Sequence, residues 1–323
     1  MLVCEPTRFR VVRPGLLTTV QDLGRFGFQR FGMPVSGAMD TVALRLANRL
    51  VGNLDHAAGL EMTLTGPELF FEVDGVVALT GADLSPQINR IPVPLWTSLD
   101  IRQGSNLSFG ARRSGARGYL AVAGGLDVPA VMGSRATHLA SRTGGFSGRA
   151  IAKGDRIACG PRPTHDPRHI GRQIPASARP PYVAAPTLRA VLGPQAELFS
   201  SHAVETLITQ RYIVSPQANR MGYRLQGPPI FLSRDLPAIE MISDATPHGS
   251  LQVPADHQPI LLMVDRPTTG GYPKIAVVIT ADLPLAAQLM PGDTVSFTLI
   301  DVHQAQCLAR EQRAALDAAV PPW

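Results

Sequence analysis

Lysine is nearly absent from this chain of 323 residues. Only Lys153 and Lys274 are lysines, although lysine and arginine together number 30, so almost all of the positive charge is arginine. Such arginine-rich, alanine- and proline-rich usage is typical of a GC-rich genome rather than of a particular function. The net charge of +5 is small, and the arginines are scattered with few aromatic residues among them. This pattern argues against a nucleic-acid partner.

Cysteine is also scarce, and long apolar runs are missing. Cys4, Cys159 and Cys307 are far apart and form no C-x-x-C pair, so neither a disulfide framework nor a zinc cluster is expected and a reducing cytoplasm is predicted. The first fifteen residues contain Arg8, Arg10 and Arg13, where a signal peptide needs an uninterrupted apolar core. Because no stretch approaches 18 uninterrupted apolar residues, no membrane span is expected.

Two histidines at helical metal-binding spacing do not predict a metal site. His165 and His169 are four residues apart, but Pro167 lies between them. Proline removes a helical hydrogen bond and prevents the regular helix that would bring both rings to one ion. No metal is therefore expected.

The catalytic motifs of several large enzyme classes are missing too. The chain has no G-x-x-x-x-G-K-[ST] loop, no G-x-G-x-x-G after a strand, no G-x-S-x-G and no H-E-x-x-H. These absences argue against a self-contained nucleotide site, a serine hydrolase and a zinc peptidase. Neither lysine lies in the sequence context that accepts biotin. No cofactor is predicted to be bound by this chain itself.

Short apolar segments predict a mainly β fold. Hydrophobic residues make up 45% of the chain and charged residues 17%, which allows a substantial core. The segments are bounded by Gly, Pro or Asp, as in barrels and sandwiches; clear examples are 75–83, 118–125, 259–265, 274–280 and 294–300. Among a few helices, Ser36 is expected to cap one that ends just before Gly52.

The pattern also predicts two domains. Residues 161–186 are rich in Pro and Arg without periodicity, which indicates a linker between an N-terminal domain, 1–160, and a C-terminal domain with a terminal helix, 187–323. Similar short sequence segments recur in the same order in both halves: 46–52 and 217–223, 66–72 and 227–233, 119–127 and 274–283, 152–157 and 290–295. This order favours two related β domains, although β-rich chains also share such segments by chance.

Four polar, glycine-containing stretches are candidate binding sites. In 14–40, Asp22 is a candidate catalytic residue and Arg25 could bind a carboxylate or phosphate in bidentate fashion, or the two could form an ion pair that holds the loop. In 215–227, Arg220 is a candidate catalytic residue and Asn219 a candidate substrate-binding residue. A purely structural hydrogen-bonding role is equally open for that second pair.

The third stretch, 249–259, and the fourth, 268–284, are closer to an apolar strand. Gln252 offers both a donor and an acceptor to an amide or lactam, unless it is an edge-strand side chain facing water. Thr269, Gly271 and Tyr272 form a polar turn that could bind substrate, and Lys274 follows. A lysine kept in a chain that otherwise uses arginine suggests that a compact ammonium is needed, to orient a carboxylate or carbonyl in a catalytic role. The alternative is a strand-end lysine that reaches solvent.

Taken together, these stretches resemble one family. The segments 14–40, 117–137, 144–155, 219–225, 249–254 and 268–293 resemble the allophanate hydrolase subunit 2 family, also called the biotin-dependent carboxyltransferase or KipA-type family, whose members include the C subunit of 5-oxoprolinase. The resemblance extends from about residue 13 to about residue 299. Leu251 and Ala136 depart from the usual Ile and Ser, which leaves the resemblance intact.

The resemblance implies a fold, partners and an activity. It implies two cyclophilin-like β-barrel domains, a KipI-type partner (the B subunit of 5-oxoprolinase) and a LamB/YcsF-type partner (the A subunit). The preferred activity is the ATP-dependent opening of 5-oxo-L-proline to glutamate, with ATP used by the complex and this chain inactive alone. Two alternatives remain: the carboxyltransferase component of a biotin-dependent urea or amide carboxylase, or a non-catalytic KipA-type regulator.

Overall fold

The computed structural model describes residues 6–161, 170–233 and 241–320. Cys4, His165 and His169 lie outside the described residues. Within them the chain divides into two compact units. The first comprises residues 1–26, 36–180 and 314–323, and the second comprises residues 27–35 and 181–313.

Two β-sheets form the first unit. Their strands are β1 (Arg8–Arg13), β2 (Leu17–Gln21), β3 (Gly59–Thr63), β4 (Glu68–Phe71), β5 (Gly75–Asp83), β6 (Pro86–Ile88), β7 (Ile91–Pro92), β8 (Ser98–Ile101), β9 (Asn106–Phe109), β10 (Ser114–Val122) and β11 (Arg156–Ala158). One sheet has the strand order β11-β1-β4-β9-β6-β7 and the other has the order β2-β3-β10-β5-β8.

Alternation of side chains explains why the first sheet has a buried face. In β1 the side chains of Phe9 and Val11 are completely buried while their neighbours are not, as the two-residue period of a strand requires. The ring of Phe9 packs against that of Phe71 in β4, with a centroid distance of 5.4 Å. Each such side chain stabilises the fold by about 1.5–3 kcal/mol when fully buried.

The second unit contains a closed seven-stranded barrel. Its strands are β12 (Thr187–Leu192), β13 (Tyr212–Val214), β14 (Gly222–Gln226), β16 (Ser250–Gln252), β17 (Ile260–Leu262), β19 (Lys274–Val278) and β20 (Thr294–Leu299). They follow the order β12-β19-β16-β17-β14-β13-β20. A parallel pairing of β12 with β20 closes the barrel, and the other pairings are antiparallel. A separate two-stranded pair joins β15 (Asp244–Ala245) to β18 (Thr269–Gly270).

The α-helices of the described residues are α1 (Thr41–Leu50), α2 (Ser201–Thr209), α3 (Leu283–Ala287) and α4 (Val302–Ala319). The expectation that Ser36 caps α1 is wrong. Asp40 is the N-cap, because its side chain accepts a hydrogen bond of 2.9 Å from the backbone N–H of Ala43. Ser36 instead lies before the helix with a φ of 57° and donates to the carbonyl of Thr137.

Strands dominate both units, so the predicted mainly β fold is confirmed. None of the helices in 6–161, 170–233 and 241–320 combines the length and hydrophobicity that a membrane crossing requires. The predicted domain limits at 160 and 187 stay a prediction. By its contacts the segment 170–180 belongs to the first unit, where Ile174 is completely buried and donates its N–H to the carbonyl of Trp96.

Candidate functional site around Lys274

Lys274 is the first residue of β19, and its side chain is completely buried. Its Nζ has no hydrogen-bond partner among the described residues. The nearest charged atom is Oδ2 of Asp244 at 3.5 Å, which is an ion pair but too long for a good hydrogen bond. An ammonium has three donors, and burying it without satisfying them is costly. The arrangement is therefore suited to a ligand that supplies an acceptor.

Asp244 and Gln195 surround this ammonium with a polar arrangement that connects three segments. Gln195 donates from its side-chain amide to Oδ2 of Asp244 at 3.1 Å, and its Oε1 accepts from the backbone N–H of Lys274 at 3.3 Å. The pKa of Asp244 lies below its usual value because the backbone N–H of Ala245, the Gln195 amide and the Lys274 charge all favour the carboxylate. Asp244 is thus the anionic counter-group of Lys274, and half of its side chain is exposed.

Gln252 lies directly beside Lys274 in the barrel. The two residues are register partners in the β16–β19 pair, after a register irregularity that follows Leu251. Gln252 is buried and donates from Nε2 to the carbonyl of Tyr272 at 3.3 Å. A Cβ added to Gly270 would lie 2.7 Å from that Nε2, so a side chain at this position would have to displace the amide of Gln252. Gln252 thus faces the turn rather than water, and its predicted role in binding substrate stays a prediction.

The turn before Lys274 presents its polar residues outward. Thr269, Gly271 and Tyr272 are exposed, whereas Pro273 and Lys274 are buried. Thr269 pairs with Ala245 across the two-stranded sheet β15–β18. The predicted substrate-binding residues of this turn thus lie at the surface within a few residues of the buried ammonium, and their role stays a prediction.

Arg220 contacts the beginning of the same segment through Asp265. Its Nε and Nη2 donate to the two carboxylate oxygens of Asp265 at 2.8 and 3.1 Å, and both side chains are buried. Asn219 is exposed, and its side-chain oxygen accepts from the N–H of Met221 in a local turn. These contacts favour a positioning role for Arg220 on the segment 265–274, through the bidentate geometry that arginine provides.

Asp22 and Arg25 lie in the first unit, each bonded to the loop 131–136. Asp22 accepts hydrogen bonds from the N–H of Gly24, the hydroxyl of Ser134 and the N–H of Arg135. Arg25 is 1% exposed and donates to the carbonyl of Ala136 at 2.5 Å. Both side chains therefore organise loops of their own unit. Their predicted catalytic and binding roles stay predictions.

Sequence reasoning missed four residues of this region. Asp244, Gln195, His248 and Arg266 carry no motif of their own; the only signal was that His248 directly precedes the segment 249–254 and that Arg266 lies two residues before Thr268. In the part of the chain that the structure describes, no three His, Cys, Asp or Glu residues are grouped so as to hold a metal ion.

Comparison with known proteins decides the family. A family model described as carboxyltransferase domain, subdomain A and B, matches residues 31–299. The chain belongs to this family. The resemblance read from the sequence is thereby confirmed.

Relatives cover nearly the whole chain. The C subunit of 5-oxoprolinase from Escherichia coli is 39% identical over 307 residues, which are 94% of this chain and 95% of the relative. The C subunit from Haemophilus influenzae is 37% identical and covers 93% of both chains. The crystal structure of the K. lactis urea amidolyase superimposes with a TM-score of 0.91 at 31% identity, over 98% of this chain and 20% of that chain. The chain thus corresponds to about a fifth of that larger protein.

Proposed function

We propose that this chain is a subunit of an ATP-dependent 5-oxoprolinase complex that opens 5-oxo-L-proline to L-glutamate, and that Lys274 orients the lactam carbonyl. The observation that carries the role of Lys274 is its completely buried ammonium, which has no hydrogen bond among the described residues. The full-length similarity to two proteins named as the C subunit of 5-oxoprolinase supports the choice of reaction.

A lactam is a stable amide, so its opening needs activation of the carbonyl. ATP used by the complex would phosphorylate the amide oxygen; water would then add to the carbon, the C–N bond would break to release the amine and leave an acyl phosphate, and a second water would hydrolyse that acyl phosphate to the carboxylate and phosphate. Amide resonance places partial negative charge on that oxygen, and a preorganised cation in a dry site can bind and orient it. Lys274 supplies the cation, while Gln252 beside it offers an amide that can pair with the lactam.

Access to the ammonium requires a small rearrangement. Because Nζ is buried and faces Asp244, substrate reaches it when the exposed Asp244 side chain is displaced. The pair β15–β18 has only two residue pairs, so this displacement breaks few contacts. Arg220 holds the opposite end of the segment through Asp265, which keeps the turn in register while Asp244 moves.

The proposed complex contains two further proteins, a KipI-type B subunit and a LamB/YcsF-type A subunit. Co-expression with the products of adjacent genes, purification, and measurement of glutamate formed from 5-oxo-L-proline with and without ATP test the proposal. Avidin serves as the control for biotin. ATP-dependent glutamate that avidin does not inhibit is the expected result.

A second candidate function is that of a carboxyltransferase component, which would act on urea or a similar amide with carboxybiotin. The superposition on the K. lactis urea amidolyase favours it. A stable complex that forms no glutamate and whose partners carry biotin would support this candidate. A stable complex with neither glutamate nor biotin would support a regulator.

A further inference from the structure

Arg266 is a buried cation that has no carboxylate partner in the described residues. Only 8% of the residue is exposed. Its Nε donates to the carbonyl of Thr246 at 2.6 Å and its Nη1 donates to the carbonyl of Met263 at 3.3 Å. The neighbouring carboxylate, Asp265, is bound to Arg220. A buried charge without a counter-charge is strongly unfavourable, so such a guanidinium is suited to an anion from outside the chain.

The surroundings of Arg266 are suited to binding an anion. Burial lowers the pKa of Arg266 to about 10. Burial, and then the charge of Arg266, lower the pKa of His248 to about 3, so that imidazole is neutral. Its Nε2 is buried and lacks a hydrogen-bond partner among the described residues. The buried imidazole nitrogen without a partner, under the influence of a buried guanidinium that has no carboxylate partner among the described residues, is an arrangement that native interiors rarely contain.

Arg266 belongs to the same region as Lys274. Thr246, whose carbonyl binds Arg266, donates its own N–H to the carbonyl of Thr268. The methyl group of Thr246 and the amide of Gln252 both border Gly270, since a Cβ built there would lie 3.2 and 2.7 Å from them. Gln252 is in turn the register partner of Lys274. The segment 265–274 therefore carries one incompletely compensated cation near each end.

We propose that Arg266 binds a carboxylate of the substrate while Lys274 binds its carbonyl oxygen, so that this site selects amides that also carry a carboxylate. His248 adds a neutral N–H donor to the same carboxylate. This inference rests on the proposed function and deepens it. A neutral amide such as urea lacks the anion that Arg266 requires, whereas 5-oxo-L-proline has a carboxylate and a lactam carbonyl on one ring.

Three ligands distinguish carboxylate binding at Arg266 from carbonyl binding at Lys274. Binding of 5-oxo-L-proline, of 2-pyrrolidinone (the lactam without a carboxylate) and of cyclopentanecarboxylate (the carboxylate without a lactam) is measured by calorimetry on the complex that contains the full chain. Each is compared between the wild type, Arg266→Gln, Arg266→Lys and the control Arg224→Gln. Arg224 is an exposed arginine of the same unit.

Arg266→Gln is expected to weaken the binding of 5-oxo-L-proline and of cyclopentanecarboxylate by about 10- to 100-fold, which is the range expected for losing a charged hydrogen-bonded pair. Binding of 2-pyrrolidinone should stay within about twofold, Arg266→Lys should recover part of the loss by keeping the charge, and Arg224→Gln should change nothing. Equal weakening of all three ligands, or none, overturns the proposal. So does a wild-type complex to which neither carboxylate binds.

The calorimetric result also separates this inference from the proposed function. Arg266-dependent binding of cyclopentanecarboxylate, by a complex that forms no glutamate from 5-oxo-L-proline, would retain the carboxylate subsite and reject the 5-oxoprolinase reaction. Glutamate formation that is unchanged in kcat and KM by Arg266→Gln would retain the reaction and reject the subsite. If Arg266→Gln does not fold, the comparison of Arg266→Lys with wild type on the same three ligands decides.

Discussion

The ammonium of Lys274 and the carboxylate of Asp244 lie 3.5 Å apart, one completely buried and the other half exposed. This is an unequal ion pair. The lysine ammonium has no hydrogen bond among the described residues, while the aspartate also accepts hydrogen bonds from Gln195 and from the N–H of Ala245. Asp244 can therefore leave the lysine and keep other partners, which makes it suited to exchange with a substrate oxygen.

The Arg220–Asp265 pair should behave as a positioning element. Replacement of Arg220 by Met leaves a buried carboxylate without its bidentate partner, and we expect the free energy of unfolding to fall by about 3–5 kcal/mol. The double variant Arg220→Met/Asp265→Leu should recover most of that loss. Urea unfolding of the four proteins of the cycle measures the coupling.

Activity of the same double variant distinguishes positioning from chemistry. If Arg220 only positions the segment 265–274, glutamate formation should return in part together with stability. Restored stability with activity still at the level of the single variant would instead assign Arg220 a direct catalytic role.

His248 should make the chain less stable in acid. Its pKa in the folded protein is about 3, below the usual 6.5, so the unfolded state binds the extra proton between these values. Its contribution to stability is complete above pH 6.5 and is lost as the pH falls toward 3, by about 1.4 kcal/mol for each pH unit well inside that window. The melting temperature of wild type and His248→Gln, followed from pH 7.5 to 5, tests this. Parallel curves for the two proteins would contradict the assignment.

Arg49 should be the strongest single anchor of the C-terminal helix end. Its completely buried guanidinium donates to Asp55, to Asp317 and to the carbonyls of Leu316 and Val320. The contacts with Asp55 and Asp317 raise its pKa. Lysine keeps the charge but cannot donate the several hydrogen bonds of the planar guanidinium, so Arg49→Lys should lower the free energy of unfolding by about 3–5 kcal/mol.

Arg45→Lys is the matched control for that measurement. Arg45 also binds Asp55, at 2.8 Å, but a quarter of its side chain is exposed, and we expect a loss below about 1 kcal/mol. Similar losses for the two variants would show that burial of Arg49 does not matter as argued.

Gly193 should be intolerant of any side chain because it packs against the backbone of Lys274. A Cβ at this position would lie 2.1 Å from the carbonyl oxygen of Lys274, so the backbone after β12 must move away from β19 in Gly193→Ala. The free energy of unfolding should fall by about 1–3 kcal/mol. Gly271→Ala is the comparison, since its Cβ would meet nothing closer than 3.6 Å. Equal stability of both variants would contradict the close approach at Gly193.

The mainly β character could be predicted from the sequence because it depends on local alternation. The segment 274–280 is largely a strand in the structure, and 118–125 lies largely in β10. The repeated sequence segments were a less reliable guide to secondary structure. The pair 119–127 and 274–283 and the pair 152–157 and 290–295 contain strands in both halves, whereas 46–52 is largely helical and 217–223 runs into the start of β14. Similar short sequences can lie among different tertiary contacts, and those contacts decide between helix and strand.

The candidate site was predictable only in part. Lys274 and Gln252 stood out by residue type and neighbouring glycines, and the barrel register brings them together. Asp244 and Gln195 are close to Lys274 only through strand pairing and long-range hydrogen bonds. No local pattern encodes such contacts. The helix cap was misread for the same kind of reason: Ser36 and Asp40 are both good capping residues, and tertiary contacts of Ser36 decide between them.

The most direct test of the account is the replacement of Lys274 in the complex. Lys274→Met removes a buried, poorly bonded charge while keeping most of the side-chain volume, so stability of the chain should be unchanged or higher. ATP-dependent glutamate formation from 5-oxo-L-proline should fall by about 100-fold or more, the effect of losing one oxyanion donor. A correctly assembled complex in which Lys274→Met or Lys274→Arg retains full activity would contradict the central claim.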